Sequence, residues 1–149
     1  MLLAEAVAAA DPAPAVFVGS SAIGFYGDRG DELLAEDAGN GEGFLAEVVR
    51  VWEDSAQPAR DAGVRTVNLR IGLVLGPDGG MLGPLKPLFK LGAGGRVGSG
   101  KQWWSWVALE DVIEAFIFAI DQQDLSGAYN VAAPDPVTRL TTPGGNPAS

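Results

Sequence analysis

Neither cysteine nor histidine occurs in this chain of 149 residues. Without cysteine there are no disulfides, no thiolate metal sites and no thiol nucleophile, a composition that fits a reducing compartment such as the cytoplasm. Without histidine there is no Ser-His-Asp triad, no imidazole base and no His-ligated zinc. Positive charge is scarce: 10 Lys and Arg face 19 Asp and Glu, a net charge of −9. That argues against a general nucleic-acid binder. Long apolar runs are missing too. Ala115 to Ile120 falls far short of the roughly 20 residues of a membrane span. The opening segment, MLLAEAVAAADP, has Glu5 inside its apolar run and acids where a secretion signal carries bases.

What is present suffices for a folded core, with 47% hydrophobic and 19% charged residues. The length is that of one domain, or of part of a larger one. Charge is unevenly spread. Residues 1–59 hold eleven acids and two bases, residues 60–107 two acids and seven bases, and residues 108–149 six acids and one base. The cationic middle block either faces an anionic ligand or is an ordinary solvated surface.

The apolar pattern alternates between the two periods of an α/β fold. Ala15 to Val18 is a short β-branched and aromatic run before Gly19 and two serines, the mark of a buried parallel strand. Residues 24–39 are glycine-rich and acidic and read as loop. Residues 42–62 read as one helix with Phe44, Val48 and Trp52 as its inward stripe, kinked or ended early by Pro58 and stopped by Gly63. Arg65 to Ile71 reads as a second strand, so strand, long helix and strand form a βαβ unit. Residues 76–102 are punctuated by glycine and proline and read as a long excursion with a short helix near Leu85–Leu91; excursions of this length are often functional. Glu110 to Asp121 reads as a helix with Asp111 as its cap. Ala128 to Ala132 reads as a third strand. One domain is expected over residues 1–139, with a disordered tail at 140–149.

Gly92, Gly95 and Gly98 have the spacing of a dinucleotide-phosphate turn. Such a turn needs a strand before it and a helix N-terminus after it. Here a helical segment precedes and another glycine follows, so a substrate-facing loop is the better reading. Arg96 and Lys101 in that loop are candidates to meet a phosphate.

Several segments, in order, resemble one family. Val16-Phe-Val-Gly-Ser-Ser-Ala-Ile-Gly-Phe-Tyr-Gly27 resembles the fifth strand and following loop of extended short-chain dehydrogenases/reductases. Leu69-Arg-Ile-Gly-Leu-Val-Leu-Gly-Pro77 resembles their sixth strand. Trp106-Val-Ala-Leu-Glu-Asp-Val112 and Gly127-Ala-Tyr-Asn-Val-Ala132 resemble their later helix start and strand. Trp52-Glu53, Gly79-Gly80, the stretch from Leu91 to Gln102 and Ala133-Pro-Asp-Pro-Val137 narrow the resemblance to the NAD-dependent epimerase/dehydratase-like, or nucleotide-sugar epimerase-like, members. The resemblance implies an incomplete Rossmann-type parallel sheet with flanking helices, lacking the N-terminal strands and their pyrophosphate turn. It implies NAD or NADP as cofactor and a small-molecule substrate of the nucleotide-sugar type. A sheet without its first four strands has a long exposed edge, open to self-association.

The catalytic positions depart from that pattern. The superfamily's Ser or Thr falls on Ala22, beside Ser20 and Ser21. Its Tyr-x-x-x-Lys pair, in which the lysine lowers the tyrosine pKa for proton transfer, falls on Phe44 and Val48. Tyr26 and Tyr129 are the two tyrosines, and neither begins such a pair. Ser20, Ser21 and Tyr26 therefore stand as the catalytic candidates, against turn capping for the serines and packing on the sheet end for Tyr26. Ser20, Arg70, Gly72 and Leu73 are the cofactor candidates, with an acid as the alternative partner for Arg70. Arg96, Lys101, Gln102 and Trp104 are the substrate candidates, Trp104 lying in a cluster with Trp103 and Trp106 that either stacks on a sugar or base or packs inward. Phe44 and Trp52 read as core and Glu53 as a surface or structural carboxylate. Two functions remain: part of an NAD(P)-dependent epimerase/dehydratase-like enzyme, or a non-catalytic NAD(P)- or sugar-nucleotide-binding protein. A third reading is a truncated chain with no activity of its own.

Overall fold

A computed structural model describes residues 2–76, 87 and 102–138. Helix α1, Leu2–Ala8, leads into β1, Val16–Ala22, and a 3₁₀ turn over Ile23–Tyr26. A loop then reaches α2, Phe44–Asp54, and the short α3, Gln57–Asp61. Strand β2, Arg65–Ile71, is followed at once by β3, Leu73–Leu75, and later by β4, Trp106–Ala108. Helix α4, Leu109–Asp121, and β5, Gly127–Val131, complete the order.

The strands β1, β2 and β5 form a parallel sheet in the order β1-β2-β5, and β3 pairs with β4 in a second, two-stranded parallel sheet. Side chains alternate between faces along a strand, so β2 splits its residues cleanly. Val67 and Leu69 join Val107, Val112, Ala119 and Val131 in a core beneath α4, with Val16 and Val18 of β1 packed against it. On the other face Phe17 packs with Ala4, Ala59 and Val64, beneath α1 and α3. Both faces of the sheet are covered by helices, which is the arrangement an all-parallel sheet requires.

The second strand has the expected bounds, whereas the expected single helix over 42–62 divides at Ser55-Ala56. Pro58 lies in the first turn of α3, where its missing N–H costs nothing. Gly63, at φ +77°, then takes the left-handed position that ends the helix. The inward stripe of α2 also differs. Phe44 is 80% exposed and Trp52 is 55% exposed, while Ala46 and Val49 are buried. Ala46, Val49 and Glu53 lie on the side of the helix opposite Phe44, Val48 and Trp52. The helix turns its small residues and one carboxylate inward, for a reason given by the site below.

Gly72 marks the break between β2 and β3. A Cβ there would lie 2.5 Å from the Ser105 carbonyl oxygen, so only glycine allows the two sheets to come this close. The C-terminus of α4 has no base of its own in its last turn. Arg65 supplies one from β2, donating to the carbonyls of Ala119 (2.8 Å), Ile120 (3.0 Å) and Leu125 (3.1 Å). At the other end Ala108 is the N-cap and no side chain caps the helix, so Asp111 sits in the first turn without the capping bond expected of it. The expected helix near Leu85–Leu91, the glycines 92, 95 and 98, and the tail from residue 140 lie outside the described residues.

Candidate functional site

The parallel register puts three polar residues in one row across the sheet: Ser21 of β1 beside Arg70 of β2 beside Asn130 of β5. They leave the sheet on the same face, one residue short of the strand ends. Arg70 is 5% exposed. A buried guanidinium demands a counter-charge, and Glu53 supplies it in fork geometry, with Nε to Oε1 at 2.8 Å and Nη2 to Oε2 at 2.9 Å. This pair is why α2 turns Glu53 inward. The Ser21 hydroxyl donates to the same Oε1 at 2.6 Å.

The other side of Arg70 holds Tyr26, which is 3% exposed. Nη1 donates to the tyrosine oxygen at 2.9 Å, and the tyrosine hydroxyl donates to Asn130 Oδ1 at 2.7 Å. The Phe25 ring lies 3.5 Å from the guanidinium carbon, a cation–π contact on the face of the group. The loop between the 3₁₀ turn and α2 is pinned to the same residues. Arg70 Nη1 donates to the Glu36 carbonyl, Asn130 N–H donates to Glu36 Oε1 at 2.9 Å, and Asn130 Nδ2 donates to the Leu34 carbonyl at 3.2 Å. Further along, the Trp103 indole N–H donates to Asp31 Oδ1 at 2.7 Å and ties the loop to residues before β4. Among the described residues no fully solvent-excluded side-chain polar atom lacks a partner.

Two opposed effects set the charge on Glu53. Burial pushes its carboxyl pKa up, but the hydrogen bonds from Arg70 and Ser21 and the charges of Arg70 and Arg60 outweigh burial and hold it below its ordinary value. Arg70 shows the mirror image: burial opposes its charge, and the bonds to Glu53 and Tyr26 raise its pKa nonetheless. The row is therefore an ionised, closed network. Replacing Tyr26 with phenylalanine removes the one oxygen that joins Arg70 to Asn130. The expected cost is about 1–3 kcal/mol, read as a lower urea midpoint at unchanged slope.

The structure divides the residues singled out above. Ser21, Tyr26 and Arg70 meet in the network, with their polar groups committed to one another, to Glu53 and to Asn130. Ser20 is exposed and, one step along β1, lies on the opposite face of the sheet. Gly72 and Leu73 lie just past the end of β2, with the Gly72 N–H donating to Val131 (3.0 Å) and the Leu73 N–H to Ser105 (2.7 Å). Trp104 pairs with Val137 in an antiparallel bridge, away from the buried row. Gln102 is half-buried, and Arg96 and Lys101 lie outside the described residues. Phe44 is exposed on the outward side of α2, Val48 is half-buried, and Ala22 ends β1. Glu53, Asn130 and Glu36 were not foreseen as partners of the site. The signal for them was Arg70 itself, a charged residue inside a strand that reads as buried.

Around the strand ends the floor is made of small residues. The Ala132 Cβ lies 3.5 Å from where a Gly72 Cβ would be, and Ala22 ends β1 at the same rank as Ile71 and Val131. Every described arginine is already engaged: Arg29 with Glu32, Arg50 with Glu47 and Asp54, Arg60 with Gln57 and Glu53, Arg65 with α4, and Arg70 with Glu53. Among the described residues no cation is left for a diphosphate, and no group of three acids, histidines or cysteines is placed to hold a metal.

A parallel sheet with helices on both faces, and a row of polar residues at its carboxyl end, is a Rossmann-type α/β arrangement, in which ligands bind beyond the strand ends. The model of the NAD-dependent epimerase/dehydratase family matches residues 1–132, and the chain belongs to that family. An epimerase family protein of Mycobacterium tuberculosis is 46% identical over 131 residues, which cover 88% of this chain and 44% of that protein. A chloroplastic SDR39U1 homologue of Arabidopsis thaliana is 40% identical, over 86% of this chain and 37% of its own. Among solved structures, the nucleoside-diphosphate sugar epimerase of Corynebacterium glutamicum superposes with TM-score 0.84 at 45% identity, covering 91% of this chain and 29% of that one. Human epimerase family protein SDR39U1, solved with NADPH, gives TM-score 0.84 at 31% identity, covering 91% of this chain and 46% of that one. The chain spans less than half the length of the curated relatives it matches.

Proposed function

We propose that this chain forms the nicotinamide side of an NAD(P) site in an epimerase/dehydratase-like protein acting on a nucleotide-sugar-type substrate. The observation that supports it most is the row Ser21–Arg70–Asn130, which locks the carboxyl ends of three parallel strands at one level behind a floor of small residues. Ala22, Gly72 and Leu73 would meet the nicotinamide and Ser20 would reach it with its hydroxyl, while Ser21, Tyr26 and Arg70 hold the strand ends in place. Bound NAD(P) would supply hydride transfer. The diphosphate would need cations from Arg96 and Lys101 or from outside this chain, and Gln102 and Trp104 would line the substrate side. A cysteine-free composition supports the cytoplasm as the setting, and the outer edge of β1, which no described strand pairs, supports self-association.

A second reading, a non-catalytic NAD(P)-binding protein, is favoured by one observation. The Tyr26 hydroxyl is buried and bonded on both sides, and the resemblance puts Phe44 and Val48, neither able to transfer a proton, where the family's proton-transferring pair falls. Calorimetric titration with NAD and NADPH separates these readings when followed by incubation of the NAD complex with UDP-glucose. Saturable binding, weakened about three- to tenfold in Ser20→Ala, supports the site. Absorbance at 340 nm on adding the sugar supports the enzyme, and binding without it supports the second reading. No binding of either nucleotide contradicts both.

A further inference from the structure

Asn40 is the one asparagine of the chain that is followed by glycine. This dipeptide is the most open to spontaneous deamidation, because Gly41 has no Cβ to obstruct attack of its nitrogen on the neighbouring carboxamide. Asn40 is exposed, so water and hydroxide reach it. The fold nonetheless commits both reacting groups elsewhere. The Gly41 N–H, whose proton must leave, donates to the Phe25 carbonyl at 2.9 Å. Asn40 Nδ2 donates to the same carbonyl at 2.8 Å and to the Ala46 carbonyl at 3.2 Å. The Gly41 backbone is also seated against the Tyr26 carbonyl, with no room for a Cβ. All of these partners lie between Phe25 and Ala46.

We propose that Asn40–Gly41 is a self-modification site, held shut by the folded loop and opened when that loop lifts from Phe25 and Tyr26. The reaction needs only water and hydroxide. The Gly41 nitrogen, deprotonated by hydroxide, bonds to Asn40 Cγ; the Cγ–Nδ2 bond breaks, and ammonia leaves with a proton taken from water. Water then opens the succinimide ring. Cleavage between the nitrogen and Cγ leaves aspartate. Cleavage between the nitrogen and the main-chain carbonyl carbon of residue 40 leaves isoaspartate.

The change is one-way, because neither product rebuilds the bonds. A carboxylate has no proton to donate, and in place of Nδ2 it sets an oxygen against the carbonyl oxygens of Phe25 and Ala46. Isoaspartate also adds a methylene to the main chain beside Gly41, where the backbone has no slack against Tyr26. The same loop carries Glu36, whose carbonyl and carboxylate bond to Arg70 and Asn130, so the loss reaches the buried row. Each opening of the loop thus risks a permanent mark, and the rate of marking follows the population of the open form.

The test incubates the full chain at pH 8 in buffer and in guanidinium chloride, and follows the tryptic peptide Gly30–Arg50 by mass spectrometry for conversion of amide to acid. Conversion is expected to be at least about tenfold slower in buffer. Glu53→Ala, which weakens the row the loop is bonded to, is expected to speed conversion in buffer and to leave it unchanged in guanidinium. Asn40→Asp, the product itself, is expected to lower the urea midpoint. Chain aged in guanidinium and then refolded reads the same consequence without a variant: the folded fraction is expected to be enriched in unmodified Asn40. Equal rates in buffer and in guanidinium contradict the protection. A Glu53→Ala chain that converts no faster than the parent chain in buffer contradicts the link to loop opening. An unchanged midpoint in Asn40→Asp, or equal refolding of modified and unmodified chains, contradicts the one-way consequence.

Discussion

Glu53→Ala is expected to destabilise the chain by about 3–5 kcal/mol, because it leaves the Arg70 guanidinium buried without a counter-charge. The loss spreads, since Ser21 donates to the same carboxylate and Tyr26 and Glu36 bond to the same guanidinium. Measured against the 5–15 kcal/mol total of an ordinary domain, this is enough to populate the unfolded state. Removing both charges at once, as Glu53→Met with Arg70→Met, is expected to cost less than the sum of the single changes, and a double-mutant cycle reads the difference. The same pair sets an acid limit. The folded-state pKa of Glu53 is depressed below its ordinary 4.5, so its contribution is complete above that value and is lost as pH falls through the folded-state pKa. Denaturant titrations from pH 7 down to pH 3 are expected to show stability falling below about pH 4.5, with a shallower fall in Glu53→Gln.

Gly41→Ala is the second large effect. A Cβ at this position would lie 1.9 Å from the Tyr26 carbonyl oxygen, 2.3 Å from its carbon and 2.7 Å from the Gly27 nitrogen. All three are backbone atoms and cannot swing aside. The Gly41 N–H also donates to the Phe25 carbonyl at 2.9 Å, and Asn40 donates to the same carbonyl at 2.8 Å. This is the clamp that holds the loop against Phe25 and Tyr26, the two rings around Arg70. Forcing it open is expected to cost at least about 3 kcal/mol. Gly30→Ala is the control: it stands at φ +60° with nothing within 4 Å and is expected to cost only the roughly 1–2 kcal/mol of a left-handed alanine. Urea midpoints of the two variants check both.

The strands were legible because their chemistry is local. Arg65–Ile71 alternates and is β-branched, and Ala15–Val18 is a short apolar run before small residues; β1 in fact runs on through Ser20 and Ser21 to Ala22. The helix α4 was legible from its acidic first turn and apolar run. The inward side of α2 was not. Phe44, Val48 and Trp52 make the stronger apolar stripe, yet Ala46, Val49 and Glu53 face the sheet, because the carboxylate pairs with a charge 17 residues away that only the βαβ crossover brings near. Three-residue strands such as β3 and β4 show no period to read. Of the site, Ser21, Tyr26 and Arg70 were legible as residues of interest, but their mutual bonding depends on register, which no window of sequence contains.

Thermal unfolding followed by circular dichroism, with and without millimolar NADPH at pH 7, tests the central claim most directly: that this chain is a folded sheet whose locked strand ends present a nicotinamide surface. One cooperative transition, shifted upward by NADPH through mass action, is the predicted result. A broad, non-cooperative transition that NADPH does not move would contradict it.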